Sequence, residues 1–181
     1  MRIHGAYLKK IAAEKGMSVD ALAAAVARPS LQGDDAVSAV KNWMRGSDHP
    51  RCKSEDVNKL AAALGVESAK IAKFTCILKF HRGSPRKAML LVELVRGKPV
   101  DKAISMLTFT TKRAAVNVKK AVNAAITEAE QASADVTRLV VAESRVDDGP
   151  RLKRFQPKDR GRAHSILKRM SHITIALVEK P

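Results

Sequence analysis

Gly149–Met170 reads GPRLKRFQPKDRGRAHSILKRM and carries eight lysine and arginine residues against one acid, Asp159. It separates RLVVAESRV, which starts at Arg138, from SHITIALVE, which starts at Ser171, and both flanking stretches have the β-branched composition of strands. A tight turn would be enough to join two neighbouring antiparallel strands. The pattern therefore predicts a long hairpin over residues 147–171, whose arms of about ten residues would reach on the order of 30 Å at roughly 3.3 Å per residue.

Charge repulsion limits what this hairpin can do. A two-stranded ribbon is marginally stable alone in water, and the cations of the two arms repel one another. Phosphate contacts would offset the repulsion and release counterions. The residues therefore favour nucleic-acid binding, with a solvated basic loop as the alternative. The apolar residues available to stabilise the ribbon are Leu152, Phe155, Ile166, Leu167 and Met170.

The whole chain of 181 residues has a formal net charge of +16. A globular protein this basic repels itself unless a polyanion neutralises it. No apolar run approaches the roughly 20 residues that span a bilayer, and the start, MRIHGAYLKKIAAEKG, lacks the apolar segment of a secretory signal. Cys52 and Cys76 stand far apart, which fits neither a disulfide framework nor a zinc site. We expect a cytoplasmic protein that binds nucleic acid, with no membrane partner, metal or other cofactor.

Enzyme motifs do not stand out in the sequence. No glycine-rich phosphate loop follows a predicted strand, and no motif groups serine, histidine and aspartate as in a catalytic triad. The histidines are too scattered to suggest metal ligands; they are His4, His49, His81, His164 and His172. We expect a binding protein with no catalytic residues.

Charge and composition divide the chain near residues 68–72. Residues 1–70 carry 11 lysine and arginine residues against 8 acids, whereas residues 71–181 carry 23 against 10. An alanine-rich helical pattern gives way at this point to KFTCILKF, which is typical of a strand. We predict an all-α domain over residues 1–70, followed by an α+β domain over residues 71–181.

Local signals mark the elements of the second domain. After a strand over Phe74–Phe80, Ser84 is a good N-cap, Pro85 suits the first helical position, and Gly97 ends that helix. A short helix follows, and Thr110 or Thr111 is expected to cap a third, long helix. The apolar residues at helix spacing are Ala88, Leu91, Val92 and Val95 in the first helix, Ala103, Met106 and Leu107 in the second, and Ala115, Val118, Val122, Ala125, Ile126 and Ala129 in the third.

Alternation in the last strand, SHITIALVE, predicts one buried face and one free face. The domain is thus expected to pack three helices on a small antiparallel sheet, from which the long hairpin extends. The side chains expected to be buried are Ile173, Ile175 and Leu177, and those expected to be free are His172, Thr174 and Ala176.

VDDGPRLKRFQPKDRGRAHSILKRMSHITIALVE is very similar to the C-terminal signature of the ribosomal protein 22 family of the large subunit. The similarity continues upstream through SPRKAMLLVELVRGKPVDKAISMLTFTTKRAAVNVKKAVNAAITEAE and covers nearly all of residues 72–179. The resemblance implies a structural constituent of the large ribosomal subunit that binds 23S rRNA and lines the peptide exit tunnel with its hairpin. The partners it implies are 23S rRNA, neighbouring large-subunit proteins and the nascent peptide.

The resemblance also assigns rRNA contacts by position, at two helix starts, after the first helix, and along the hairpin and its base. Asp159 departs from the family, in which this position is usually basic or small, and brings a negative charge to the tip. The tip residues implied are Phe155, Gln156, Pro157, Lys158, Asp159 and Arg160. The rRNA-binding residues implied are Ser84, Arg86, Lys87, Arg96, Lys98, Lys112, Arg113, Arg151, Lys153, Arg154, Lys158, Arg160, Arg162, Lys168, Arg169, Ser171 and His172.

The helix that starts at Ser84 has a physical reason to bind phosphate. Its unpaired backbone N–H groups and its dipole favour an anion at this end. Arg86 and Lys87 lie in the first turn, where cations oppose the dipole, and a bound phosphate would resolve that conflict. The alternative is that both side chains are simply exposed.

Residues 6–67 resemble the phage-repressor type of helix-turn-helix domain, through LKKIAAEKGMSVDALAAAV, AVKNWMRGSDHP and SEDVNKLAAALGV. Ser18 would cap the second helix. The residues expected in the core rather than on DNA are Val40, Trp43, Leu60 and Leu64.

One segment of this domain departs from the motif. ARPSLQGDD, between the second and third helices, is longer than the tight turn that the motif needs. The third helix would enter the major groove by its N-terminal end, where Asp34 and Asp35 repel phosphate. Ser38 and Lys41 are the possible DNA contacts. A packing or rRNA-docking extension is favoured, and a DNA-binding transcriptional regulator is the alternative function.

Overall fold

The structure is a computed structural model that describes residues 1–29 and 31–180. Over these residues the strands are β1 (Arg2–Ile3), β2 (Ala72–His81), β3 (Leu139–Asp148), β4 (Leu152–Pro157), β5 (Ala163–Lys168) and β6 (Ser171–Glu179). The helices are α1 (Gly5–Glu14), α2 (Val19–Val26), α3 (Asp34–Met44), α4 (Ser54–Leu64), α5 (Ser68–Ile71), α6 (Pro85–Val95), α7 (Val100–Phe109) and α8 (Ala114–Gln131).

The chain forms two compact units. The first contains Met1–Phe74, Thr127–Leu139 and the residues that follow Leu177, and the second contains Thr75–Ile126 and Val140–Leu177. The boundary expected near residues 68–72 lies close to the junction after Phe74. The first unit also takes in Thr127–Leu139, which sequence reasoning assigned to the second part of the chain.

The first unit packs its helices around Trp43, which is fully buried. The indole Nε1 donates to the Pro50 carbonyl oxygen at 2.7 Å, so burial of the ring does not leave this N–H unpaired. A buried carboxylate is satisfied nearby, because Asp56 Oδ2 accepts from Arg28 Nη1 at 2.8 Å and from the Lys53 backbone N–H at 3.0 Å. The core predicted for this unit is confirmed, since Val40, Trp43, Leu60 and Leu64 are all buried.

The ends of these helices follow local chemistry. Ser18 caps α2 as predicted, and its Oγ accepts from the Ala21 backbone N–H at 3.2 Å. Between α2 and α3, Arg28 and Leu31 form an isolated antiparallel bridge, so this connection has structure of its own. Gly33 precedes α3 with a φ of 55°, and Gly65 ends α4 in the left-handed region.

The first unit is not purely helical, contrary to the expectation from sequence. Arg2 pairs with Lys73 and Ile3 with Ala72, which makes β1 an antiparallel edge strand on β2. Two residues are too few to carry a recognisable strand pattern. The pairing therefore depends on the partner strand.

The second unit confirms the predicted helix α6. Ser84 is its N-cap, Pro85 its first residue, and Gly97, with a φ of 71°, follows its end. The third helix starts later than predicted, at Ala114, because Thr110 Oγ1 donates back to the Met106 carbonyl oxygen at 2.7 Å and finishes α7. Of the predicted apolar faces, Met106 and Ile126 are half-buried and the other residues are buried.

Four strands form one sheet in the order β1-β2-β6-β3, and β4 pairs with β5 as a separate antiparallel ribbon. The expectation of a free face on β6 is wrong, because Thr174 and Ala176 are buried as well as the three predicted residues. The strand lies between β2 and β3, so both of its edges are paired. Burial of its second face requires packing over that face, which alternation along the strand does not reveal.

Close packing of α1 against the end of α3 makes Gly5 a sensitive position. A Cβ at residue 5 would lie 2.1 Å from the Trp43 carbonyl oxygen and 3.0 Å from the Gly46 nitrogen. We predict that Gly5→Ala destabilises the first unit by about 1–3 kcal/mol, as overpacking does, although alanine is normally favoured over glycine in a helix by roughly 1 kcal/mol. Urea unfolding followed by Trp43 fluorescence measures this. The exposed neighbour Ala6→Ser is the control, and an unchanged or raised midpoint for Gly5→Ala would contradict the prediction.

Candidate nucleic-acid interface

The start of α6 is built to leave its N-terminus open. Ser84 has the extended backbone of an N-cap, yet its side chain makes no capping hydrogen bond. The Lys87 and Ala88 N–H groups donate to the Ser84 carbonyl oxygen at 3.1 and 3.2 Å. Arg86 and Lys87 in the first turn oppose the helix dipole, so an anion at this end would be stabilised by both the cations and the dipole.

A cavity of about 650 Å³ opens beside this helix start. Four of the predicted rRNA-binding residues line it, which are Ser84, Lys87, Lys112 and Arg113. Arg86, by contrast, is exposed and does not line the cavity. The complete lining is His81, Arg82, Gly83, Ser84, Lys87, Leu90, Lys112, Arg113 and Ala114, which brings together the end of β2, the start of α6 and the start of α8.

Sequence reasoning missed a buried polar pair at this cavity. His81 is 7% exposed, and its Nδ1 lies 2.7 Å from Nδ2 of Asn117 on α8. Burial lowers the pKa of His81, and Arg113 lowers it further. The sequence feature that could have pointed to this pair is the position of His81 and Arg82, shortly before the N-cap Ser84 of α6. The partner Asn117, 36 residues along the chain, carried no signal of its own.

The base of the hairpin adjoins the same helix start. A second cavity of about 380 Å³ is lined by Arg82, Gly83, Ser84, Leu167, Lys168 and Arg169. The predicted contacts Lys168 and Arg169 are thus brought next to Ser84. Three residues, Arg82 to Ser84, line both cavities, so a basic surface continues from the α6 start onto the hairpin.

The hairpin arms carry the other predicted cations on exposed residues. Pairing runs from Leu152 opposite Lys168 to Pro157 opposite Ala163, which places the turn at residues 158–162. The Lys158 N–H donates to the Arg162 carbonyl oxygen at 2.8 Å and closes the turn. The expected tip, 155–160, is therefore shifted toward Arg162, while Asp159 stays within it. The exposed cations are Arg151, Lys153, Arg154, Lys158, Arg160, Arg162, Lys168 and Arg169.

Two predicted contacts after α6 have structural partners. Arg96 donates from Nη2 to the Ser144 carbonyl oxygen at 2.5 Å and from Nε to Ser144 Oγ at 3.2 Å. Ser144 Oγ in turn donates to the Val92 carbonyl oxygen at 2.9 Å. The Lys98 carbonyl oxygen accepts from the Val141 N–H at 3.0 Å. These bonds hold the α6–α7 connection on β3 and orient Arg96 along it.

The two residues predicted at the hairpin base lie deeper than expected. Ser171 is fully buried, and its Oγ has no hydrogen-bond partner among the residues that the structure describes. His172 Nδ1 accepts from the Phe80 N–H at 3.1 Å, and the two rings meet edge to face at 5.0 Å. Both residues therefore pack the base of the hairpin within the protein.

The possible DNA-contacting residues of the first unit lie on α3. Ser38 and Lys41 are exposed, as are Asp34 and Asp35 in the first turn of that helix. The acids suit the positive end of the helix dipole and present negative charge where a DNA backbone would have to approach.

Other kinds of site are not found in the described part of the chain. Residues 1–29 and 31–180 contain no group of three or more histidine, cysteine or acidic residues placed to hold a metal ion. No helix within these residues is long and apolar enough to cross a membrane. Burial, with the nearby Asp56 and Asp48, raises the pKa of the Cys52 thiol to about 12, so this cysteine is a poor nucleophile.

The lowered pKa of His81 has a consequence for stability. Below pH 6.5, the ordinary value, the unfolded chain binds a proton that the folded cavity resists, so stability falls as pH decreases toward the folded pKa. His4 acts in the same direction, because burial and then Lys73 lower its pKa. We predict that the urea midpoint drops between pH 7 and pH 5, and drops less in His81→Leu and in His4→Leu. A midpoint that rises over this range would contradict the assignment.

A family model described as ribosomal protein L22p/L17e matches residues 76–178. The match begins in β2 and ends in β6, and it includes α6, α7, α8 and the whole basic hairpin. It covers more than half of the chain, and both cavities and every implied rRNA contact lie within it. Residues 1–75 lie outside the match. The chain belongs to the ribosomal protein L22p/L17e family, whose members are structural proteins of the large ribosomal subunit.

Proposed function

We propose that the protein binds 23S rRNA in the large ribosomal subunit through the basic surface of its second unit, and that its hairpin lines the peptide exit tunnel. The observation that carries this proposal is the hairpin itself. All its cations are exposed, and Phe155 at the end of β4 is 78% exposed. Such a ribbon has no core of its own and strong internal repulsion. RNA phosphates supply the opposite charge that it lacks.

The same surface explains why cations collect at the two helix starts. Lys112 and Arg113 directly precede α8, and Arg86 and Lys87 lie in the first turn of α6. At each of these places positive charge opposes a helix dipole, which is unfavourable in the isolated protein. A phosphate at each helix start turns the repulsion into attraction, and the hairpin base continues the surface toward the ribbon.

Two further partners follow from the exposed side chains of the second unit. Phe109, at the end of α7, is 87% exposed, and Leu94 on α6 is also exposed. These residues suit contacts with neighbouring large-subunit proteins. The turn 158–162 is charged instead, since it combines Asp159 with cations. We propose that this turn faces the nascent peptide.

We predict that the 181-residue chain binds a large-subunit rRNA fragment with a steep salt dependence. If about eight phosphates are neutralised, log K should fall against log salt with a slope of roughly −6 to −7. Lys153→Ala with Arg154→Ala should make that slope shallower by about 2. Lys9→Ala with Lys10→Ala, an equal change of charge in the first unit, is the control. A wild-type slope near zero would refute the electrostatic account.

For residues 1–74 we propose a packing or rRNA-docking role rather than sequence-specific DNA recognition. Asp34 and Asp35 are exposed at the end of α3 that would have to enter the major groove. Base recognition also needs side chains at that end which reach base edges. Ser38, one turn further along, is the first candidate.

We predict that Asp34→Asn with Asp35→Asn strengthens binding of the full chain to any DNA duplex by about two- to threefold, because two phosphate-repelling charges are lost. The ratio between selected and random duplexes should stay unchanged. The measurement is a titration of both duplexes at about physiological salt. Nanomolar binding of one selected sequence, lost in Ser38→Ala or Lys41→Ala, would show instead that the first unit regulates genes.

A further inference from the structure

The cavity beside α6 is larger than a phosphate needs and is only partly charged. Its volume of about 650 Å³ falls in the range of roughly 300–1,000 Å³ that is typical of small-molecule sites. Cations form part of its wall, but Leu90 and Ala114 also line it, and Leu90 is 55% exposed. An apolar wall beside a cationic rim suits a ligand with one flat, weakly polar part and one anionic part.

His81 supplies a directional donor to this cavity. The Asn117 amide nitrogen donates to Nδ1, and a neutral imidazole that accepts at Nδ1 carries its proton on Nε2. The residue as a whole is 7% exposed, and the hydrogen bond of its ring within the described residues is the one between Nδ1 and Asn117. The lowered pKa keeps the ring neutral near physiological pH, so Nε2–H acts through a hydrogen bond more than through charge.

Gly83 keeps the space beside this donor open. A Cβ built on Gly83 would lie 2.6 Å from His81 Nε2 and 3.2 Å from Cδ2 of the same ring. Gly83 does not have a positive φ, so its backbone conformation does not require glycine. The missing side chain instead leaves room beside the His81 ring. Any residue larger than glycine would press on the imidazole and close the approach to its N–H.

We propose that this cavity binds a single unpaired nucleotide of the RNA, with its phosphate at the α6 N-terminus and its base beside Leu90, where His81 Nε2–H donates to an acceptor on the base. This inference rests on the proposed rRNA binding and assigns part of it to one site. Proteins read RNA mainly through unpaired bases that are splayed out of the helix. The cations hold the phosphate without regard to sequence, and the histidine contact adds a preference that charge alone does not give.

The test compares a fully paired RNA duplex with four duplexes that each carry one additional bulged nucleotide. The bulged nucleotide is A, C, G or U. Wild-type protein should bind the best bulged duplex about tenfold more tightly than the fully paired one. His81→Leu should lose most of that difference, a change of about 1.4 kcal/mol, and should alter binding of the paired duplex less than twofold. His49→Leu, an exposed histidine of the first unit, is the matched control.

Gly83→Ala provides an independent arm if His81→Leu fails to fold, because it changes no charge and crowds the donor. It should also reduce the preference for the bulged duplex. In wild-type protein, adenosine monophosphate should shift the ring resonances of His81 at concentrations where inorganic phosphate does not. An equal response to inorganic phosphate would reduce the cavity to a phosphate site and overturn the proposal.

The outcomes also separate this inference from the proposed function. Wild-type protein that binds rRNA with the expected salt slope, but binds bulged and paired duplexes equally, would refute the nucleotide site and leave rRNA binding intact. An equal loss on both duplexes in His81→Leu would refute it too. Failure to bind any of these RNAs would instead refute the proposed function.

Discussion

Repulsion among the cations of the second unit is the constraint on which its organisation depends. Residues 71–181 carry 23 lysine and arginine residues against 10 acids. Many of the cations lie where they destabilise the isolated chain, in the first turn of α6, directly before α8 and along both arms of the ribbon β4–β5. A polyanion offsets the repulsion in all three places. The folded core therefore has to hold these side chains in position without help from the ribbon.

That core achieves rigidity with small side chains. Aromatic residues make up 3% of the chain, and α8 buries mostly alanine and valine, among them Ala115, Val118 and Ala125. The α6–α7 connection is bonded to β3 through Gly97, Lys98 and Arg96. These bonds fix the end of α6 against β3. A connection held in this way loses less entropy on binding than a mobile one.

Features that depend on neighbouring residues were predictable from the sequence. Features that depend on contacts between residues far apart in the sequence were not. Ser84, Pro85 and Gly97 bounded α6 correctly, because caps and helix breakers act within a few residues. The burial of the second face of β6 was missed, because it depends on what packs over that face and not on alternation along the strand. The pair His81 and Asn117 was missed for the same reason, since neither residue has a functional pattern until α8 packs beside the end of β2.

The cations and His81 are expected to contribute differently to RNA binding, because they differ in exposure and charge. Lysine and arginine on the hairpin and at the helix starts attract any phosphate backbone, and such contacts position an RNA without reading its sequence. His81 differs from them because it is buried, its pKa is lowered by that burial, and its ring is hydrogen-bonded to Asn117. A fixed donor favours a ligand that offers an acceptor at one place and disfavours a ligand that leaves the donor unpaired. Selectivity within the second unit is therefore expected at the cavity, where the neutral His81 lies among the cations, and not along the ribbon.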